Sequence, residues 1–235
     1  MLLITTTKKL TSKIRLSAKP ETMTVKTKDR IVHAALELFN THGERKITTN
    51  HIAAHLKISP GNLYYHYRNK SDIIARIFDQ YEQALAVLFD LPQDRAVTLQ
   101  DQTQLLEKLL QVFWNYRFLH RDLVGMLAND AELHQRYQKI AETGIAQAGH
   151  IIRRLRDANI MQISEDEIAP LALNIWLVLT GWGSYLRTAR GIAEEDIRQE
   201  HLFEVLKQLI SLELPYLSEE TRALTHQTLN QLQPV

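Results

Sequence analysis

ITTNHIAAHLKISPGNLYYHYRNK, residues Ile47 to Lys70, is the stretch whose reading decides the fold. Ile52, Ala53, Leu56, Ile58 and Leu63 fall where two short crossing helices need a shared core, and Ser59-Pro60-Gly61 interrupts them. This is the pattern of a helix-turn-helix. Its second helix, Gly61 to Tyr67, carries an amide, three phenols and an imidazole, with Arg68 and Lys70 following; these groups suit phosphates and base edges. Leu63 and Tyr67 share one helical face, while Asn62 and His66 share another, so inward and outward sides are already distinguished. Thr48 or Thr49 can N-cap the first helix, and a helix start also offers unpaired N–H donors to a phosphate.

Upstream, Ile31, Ala34, Ala35, Leu38 and Phe39 recur at helical spacing from Thr27 or Lys28 to His42, with Gly43 as a C-cap. The series A-A-L-E-L-F-x-x-x-G, then I-T-T-x-x-I-A, then I-S-P-G-N-L-Y-Y-H-Y-x-N-K-x-D resembles the amino-terminal domain of TetR-family transcriptional regulators over residues 28 to about 75. The resemblance implies that the second helix of the motif enters the major groove, that flanking residues bind phosphate, and that the protein acts as a dimer on a palindromic or near-palindromic double-stranded operator. Carried over by position, it implies DNA contacts from Thr49 and Asn50 at the start of the supporting helix and from Gly61 and Asn62 at the exposed start of the recognition helix. It further implies contacts from Tyr64, Tyr65 and His66, and from Lys70 as a phosphate-binding lysine, with Leu63 and Tyr67 in the core. One departure stands out: Lys57 occupies a turn position where many members have glycine, and a positive φ there costs a lysine roughly 1 kcal/mol.

Charge is segregated along the chain. Residues 1–70 carry 13 Lys and Arg against 4 Asp and Glu, whereas the whole chain has 28 against 27, so a basic front end precedes an acidic body. Five of those basic residues precede residue 20, within a Thr- and Lys-rich segment read as a flexible arm over residues 1–26. The same composition overlaps with a transit peptide, Met23 offers an alternative start, and a basic arm that follows phosphates or enters a minor groove is the functional reading. At 235 residues and 45% apolar composition, the chain can hold a small domain joined to a larger one. The absence of cysteine excludes disulfides and thiolate chemistry, and the expected compartment is the cytoplasm.

Beyond the motif every periodic segment is helical. Ser71 is expected to cap a helix running to Leu91-Pro92; further helices are expected around Leu105 to Trp114, Arg121 to Ala128, Asp130 to Asn159, Glu167 to Arg190, residues 197 to 213 and residues 219 to 232. The chain therefore reads as all-α: a flexible arm over 1–26, a three-helix DNA-binding domain over 27–72, and a helical effector-binding and dimerisation domain over 73–235. Ile168 to Leu186 has no charged residue across 19 positions, long enough to raise a membrane span. Pro170, Asn174, Gly181, Gly183 and Ser184, with no second such stretch, favour instead a helix buried on two sides, and no membrane partner is expected. Leu171, Ile175, Leu179 and Trp182, with Leu202, Leu206 and Leu209 from the next helix, are the expected dimer interface; pairing these helices with their symmetry mates is how the resembled family dimerises.

In that family the middle of the body encloses a ligand pocket whose occupation moves the two reader domains out of register. The resemblance therefore implies a small, largely apolar effector. The aromatics Phe78, Tyr81, Phe113, Trp114, Phe118, Tyr137 and Trp176 are the candidates to line it, with His120, Arg121 or Asn174 as polar anchors. His51 and His55 share a helical face, but no third ligand or catalytic spacing accompanies them, so no metal, cofactor or enzymatic activity is expected. The function so read is a ligand-responsive DNA-binding repressor acting as a homodimer. The alternatives are an all-helical enzyme or metal-binding protein using the body pocket, and a membrane-associated helical protein.

Overall fold

The computed structural model describes residues 26–89, 94–223 and 225. The basic arm (all but its last residue), the Leu91-Pro92 stop and most of the expected last helix lie outside these residues, although residues 219–223 are helical. The amino-terminal unit comprises α1 (Thr27–His42), α2 (Thr49–Leu56) and α3 (Pro60–His66). Helix α4 (Lys70–Ala86) leads into a body built of α5 (Leu99–Asn115), α6 (Arg117–Asn129), α7 (Ala131–Asp157), α8 (Glu165–Thr188), α9 (Gln199–Phe203) and α10 (Val205–Glu213). Among the described residues, extended pairing is confined to one bridge between Met161 and Leu217.

Local chemistry starts each short helix. Thr48, not Thr49, caps α2: its hydroxyl accepts from the His51 N–H at 3.3 Å, and His51 Nδ1 accepts from the Thr48 N–H at 3.2 Å. Ser59 caps α3 with Pro60 in the first position, where a missing N–H is harmless. Lys57, between them, adopts φ 56° and ψ 40°, the left-handed conformation expected for that turn. For α4 the cap is Asn69, whose side chain accepts from the Asp72 N–H at 2.8 Å, rather than Ser71. Lys70 has already entered the helix, so Ser71 lies two positions too late to cap.

Two boundaries depart from the periodicity. Helix α6 starts at Arg117 rather than Arg121, because the chain bends at Tyr116 without a glycine or proline to mark the corner. The run expected over 197–213 tightens at Glu204, where the Lys207 N–H bonds Glu204 O three residues back, dividing α9 from α10.

The core is continuous from reader to body. Ile31, Ala35 and Phe39 of α1, Ile52 of α2 and Leu63 of α3 join Ile73, Ile77 and Phe78 of α4, and these join Phe113, Phe118 and Leu119 of the body. Phe39 and Phe118 pack at a tilt, with centroids 5.2 Å apart across the boundary. A second cluster, with Ile152, Leu155, Ile168 and Leu171, holds α7 along α8. No described helix is long and apolar enough to cross a membrane; α8 spends its apolar side on these clusters.

Candidate nucleic-acid interface and body cavity

The reader presents one polar face over a sealed apolar one. Leu63 is fully buried and Tyr67 nearly so, its hydroxyl donating to Lys28 O at 3.4 Å. Those two residues clamp α3 to α1 and turn Gly61, Asn62, Tyr64 and Tyr65 outward, Tyr65 being 86% exposed. His66 is half-buried, with its ring edge-on to Tyr65 at 5.2 Å. Asn50 is exposed at the start of α2, and Thr49 Oγ1 lies 3.0 Å from the Tyr64 hydroxyl, so the two helix starts are joined by an outward-facing pair of hydroxyls. Seven of the eight expected contact residues thus lie along the adjoining outer faces of α2 and α3.

Lys70 is placed differently. Its ammonium donates to Glu44 O at 3.0 Å and Ile47 O at 3.1 Å and pairs with the Glu44 carboxylate at 2.6 Å. An ammonium has three donors, and all three are engaged in holding the α1–α2 turn against the start of α4.

The body encloses a cavity of about 380 Å³. Its wall is largely hydrocarbon from α5, α7 and α8, including Leu105, Leu109, Ile151, Ile152, Ile175 and Leu179, with Tyr81, Phe113 and Trp176 as its aromatics. Gly144 shapes it: a Cβ there would lie 2.5 Å from the Trp176 ring, so the missing side chain lets the indole lie against α7. Glu82 and Arg136, paired at 2.7 Å, and Lys139 contribute polar wall; Gln102 and Glu213 are buried polar groups on it.

A family model described as "Bacterial regulatory proteins, tetR family" matches residues 31–77, and one described as "TetR: Bacterial transcriptional repressor" matches residues 80–224, more than half of the chain. The chain belongs to the TetR family. A TetR-family transcriptional regulator from Marinobacter aquaeolei VT8 is 44% identical, with a TM-score of 0.82 over 89% of this chain and all of that one. A Saccharomonospora viridis protein, described as a transcriptional regulator and solved in complex with choline, shares the fold at 18% identity, with a TM-score of 0.62 over 79% of this chain and 95% of that one. The HTH-type regulator named YttP of Bacillus subtilis (strain 168) is 24% identical over 111 residues, 47% of this chain; the chain spans about half, 53%, of that relative. DNA binding and transcriptional regulation are the business of this family, whose members are regulators rather than enzymes.

Within this TetR-family chain, most sequence-picked pocket residues serve elsewhere. Of ten, Tyr81, Phe113 and Trp176 line the cavity. Phe78 is wholly buried beneath the Arg136 guanidinium, and Phe118 packs on Phe39. Trp114 lies under Arg117, Tyr137 is half-buried beside the first cluster, and Asn174 faces out of α8. His120 sits behind the wall, with its ring 4.1 Å from Phe113 and its Nε2 3.3 Å from the Tyr81 hydroxyl; burial, then the nearby Arg187 charge, hold its pKa down at about 4. Helical periodicity marks an aromatic as inward without telling a core contact from a cavity wall.

Arg121 is not a cavity anchor but a clasp. Its guanidinium donates to Phe39 O and Asn40 O at the end of α1 and pairs with Glu194 at 2.8 Å and Asp122 at 3.1 Å. Asp122 in turn accepts from the Glu44 N–H at 2.9 Å. Buried Asn40 completes the joint, donating to Asn115 O at 2.7 Å and accepting from the Phe118 N–H at 3.1 Å. A Cβ on Gly125 would lie 2.3 Å from the Arg45 guanidinium, so that glycine lets Arg45 of the α1–α2 turn lie over α6. Helix α6 therefore grips the end of the reader through polar bonds that its apolar spacing did not announce.

The expected interface residues also divide. Leu171, Leu179 and Leu209 are buried within the single chain, and Ile175, Trp182, Leu202 and Leu206 are half-buried, with the Trp182 indole donating to His201 O at 2.8 Å. The apolar side chains that α8 leaves exposed are Leu173, Leu177 and Tyr185. At four-residue spacing these, with Gly181, form a second face, distinct from the one the sequence selected.

Proposed function

We propose that this protein is a homodimeric repressor that leaves its operator when a small molecule occupies the body cavity. One observation carries the reading: the single helix α4 begins with Lys70, which holds the reader's turn, and ends with Tyr81, Leu85 and Ala86 on the cavity wall. A ligand that alters the packing around Tyr81 thereby acts on the helix that seats the reader, and the α6 clasp is the second link. An effector that prefers the non-binding arrangement shifts the population by its differential affinity and by no more. That a relative of the same fold was solved in complex with choline supports a small-molecule ligand for this chain as well.

In this reading Asn62 and Tyr64 meet bases and phosphates, with Thr49, Asn50, Gly61, Tyr65 and His66 around them, on a palindromic or near-palindromic operator. Two copies pair through α8 and α10, with Leu173, Leu177 and Tyr185 as the contacts that α8 offers. Footprinting on DNA from the gene's own neighbourhood tests the reading, repeated at two salt concentrations. A protected, two-fold symmetric site whose affinity falls steeply with salt is expected. No protection of any duplex would overturn it. Asn62→Ala should change sequence preference; an unchanged preference removes Asn62 from base readout.

A further inference from the structure

The geometry points to a lipophilic cation as the cavity's ligand: an apolar body carrying one protonated nitrogen, which pairs with Glu213. The inference deepens the effector reading and rests on the cavity being the effector's site.

Glu213 is 8% exposed, lies at the last position of α10 and faces the cavity. The bonds to its carboxylate come from Gln102 Nε2, which donates to the two oxygens at 2.8 and 3.0 Å; no described Lys, Arg or His pairs with it. Gln102 is equally buried, at 8%. Of the cationic groups on the wall, Arg136 is committed to Glu82 and Asp79, and Lys139 is exposed.

A carboxyl in this place is unfavourable for the fold on two grounds. Burial without a cation penalises the charged form. The carbonyl end of α10 adds a partial negative charge beside it. Burial pushes its pKa up to about 7, Gln102 only partly offsetting this. Glutamine, of nearly the same shape, would fill the position without that cost, so the charge points to something that enters the cavity.

The remaining wall narrows the chemistry. Leu105, Leu109, Ile151, Ile152 and Ile175 offer nothing to a polar ligand body, whereas they fit an alkyl or aryl one. A carboxylate ligand would meet Glu213 as a like charge. A neutral donor gains at most one uncharged hydrogen bond from it. A cation gains most, through a charge-assisted one.

Three ligands with one skeleton test this: 4-phenylbutylamine, 4-phenyl-1-butanol and 4-phenylbutyrate, titrated calorimetrically at pH 8 into the full chain and into Glu213→Gln, without DNA. The amine is expected to bind the native chain roughly tenfold or more tightly than the alcohol, the increment of a charge-assisted bond in a desolvated site. In Glu213→Gln that preference should vanish while alcohol affinity stays as it was, the latter establishing that the cavity is intact. Equal binding of amine and alcohol to the native chain, tighter binding of the butyrate, or an amine preference that survives Glu213→Gln would each overturn the inference. Because DNA is absent, the effector reading stands or falls separately: amine binding through Glu213 that leaves operator affinity unchanged refutes effector control and leaves the cation site in place.

Discussion

Glu213→Gln should make the protein more stable, and increasingly so as the pH rises. In the folded chain the carboxyl is raised from an ordinary 4.5 to about 7 by burial. Its favourable contribution is complete below pH 4.5, where folded and unfolded chains both hold the proton. It is lost as the pH climbs through 7, because the unfolded chain ionises freely and the folded one does not. At about 1.4 kcal/mol per decade, the full loss is about 3 kcal/mol, and the part falling between pH 5 and pH 8 is about 2–3 kcal/mol. Glutamine keeps the shape and can accept one of the two hydrogen bonds that Gln102 donates to the carboxylate, and it titrates nowhere. Comparing the two proteins at both pH values also cancels the other titrating groups, His120 included. The assay is urea unfolding at fixed protein concentration, followed by tryptophan fluorescence and circular dichroism. The stability difference should widen in favour of Glu213→Gln by that amount from pH 5 to pH 8. A difference that stays constant, or a variant less stable at pH 8, would mean that a cation already compensates the carboxylate and would refute the reasoning.

Other perturbations act on the same joints. His120, held neutral with a pKa of about 4, contributes stability that is present above pH 6.5 and lost as the pH falls toward 4; His120→Phe should flatten that acid limb, readable as melting temperature against pH. Lys57→Gly should raise stability by about 1 kcal/mol, since glycine takes the left-handed turn without a Cβ penalty, and denaturant midpoints would reveal a loss instead if the turn were otherwise shaped. Lys70→Met removes all three ammonium bonds around Glu44 and should cost about 2 kcal/mol of folding stability as well as operator affinity; weakened DNA binding at unchanged stability would restore Lys70 to a purely phosphate-binding role. Tyr64→Phe, which deletes one exposed hydroxyl and the bond to Thr49, should weaken operator binding in an anisotropy titration while the melting temperature stays within about 1 °C.

The reader was legible in the letters because every determinant is local. Thr48, Ser59 and Pro60 set helix starts through bonds spanning three residues, Lys57 marks the tight turn, and Leu63 with Tyr67 defines the inward face four residues apart. Each works within one or two turns of chain, so residue order suffices. The all-helical body was legible for the same reason, its stripes recurring at 3.6-residue spacing.

Tertiary structure decided what each stripe meets. Leu171 and Leu177 are equally apolar on one helix, yet one faces the cluster around Ile152 and the other is 56% exposed, because neighbours rather than composition choose the face of α8. Gln102 and Glu213 did carry a signal: each continues an apolar stripe, with Leu105 and Leu109 or with Val205 and Leu209, and a polar residue on a buried stripe is worth noticing. That they come within 2.8 Å across 111 residues of chain, on the wall of one cavity, depends on the packing of α5 against the end of α10. The sequence by itself determined a helical DNA reader on a helical body. Only the packed structure turned Lys70 and Arg121 inward as braces and left a carboxyl without a cation in the cavity, since contacts between distant segments arise from how the helices pack together.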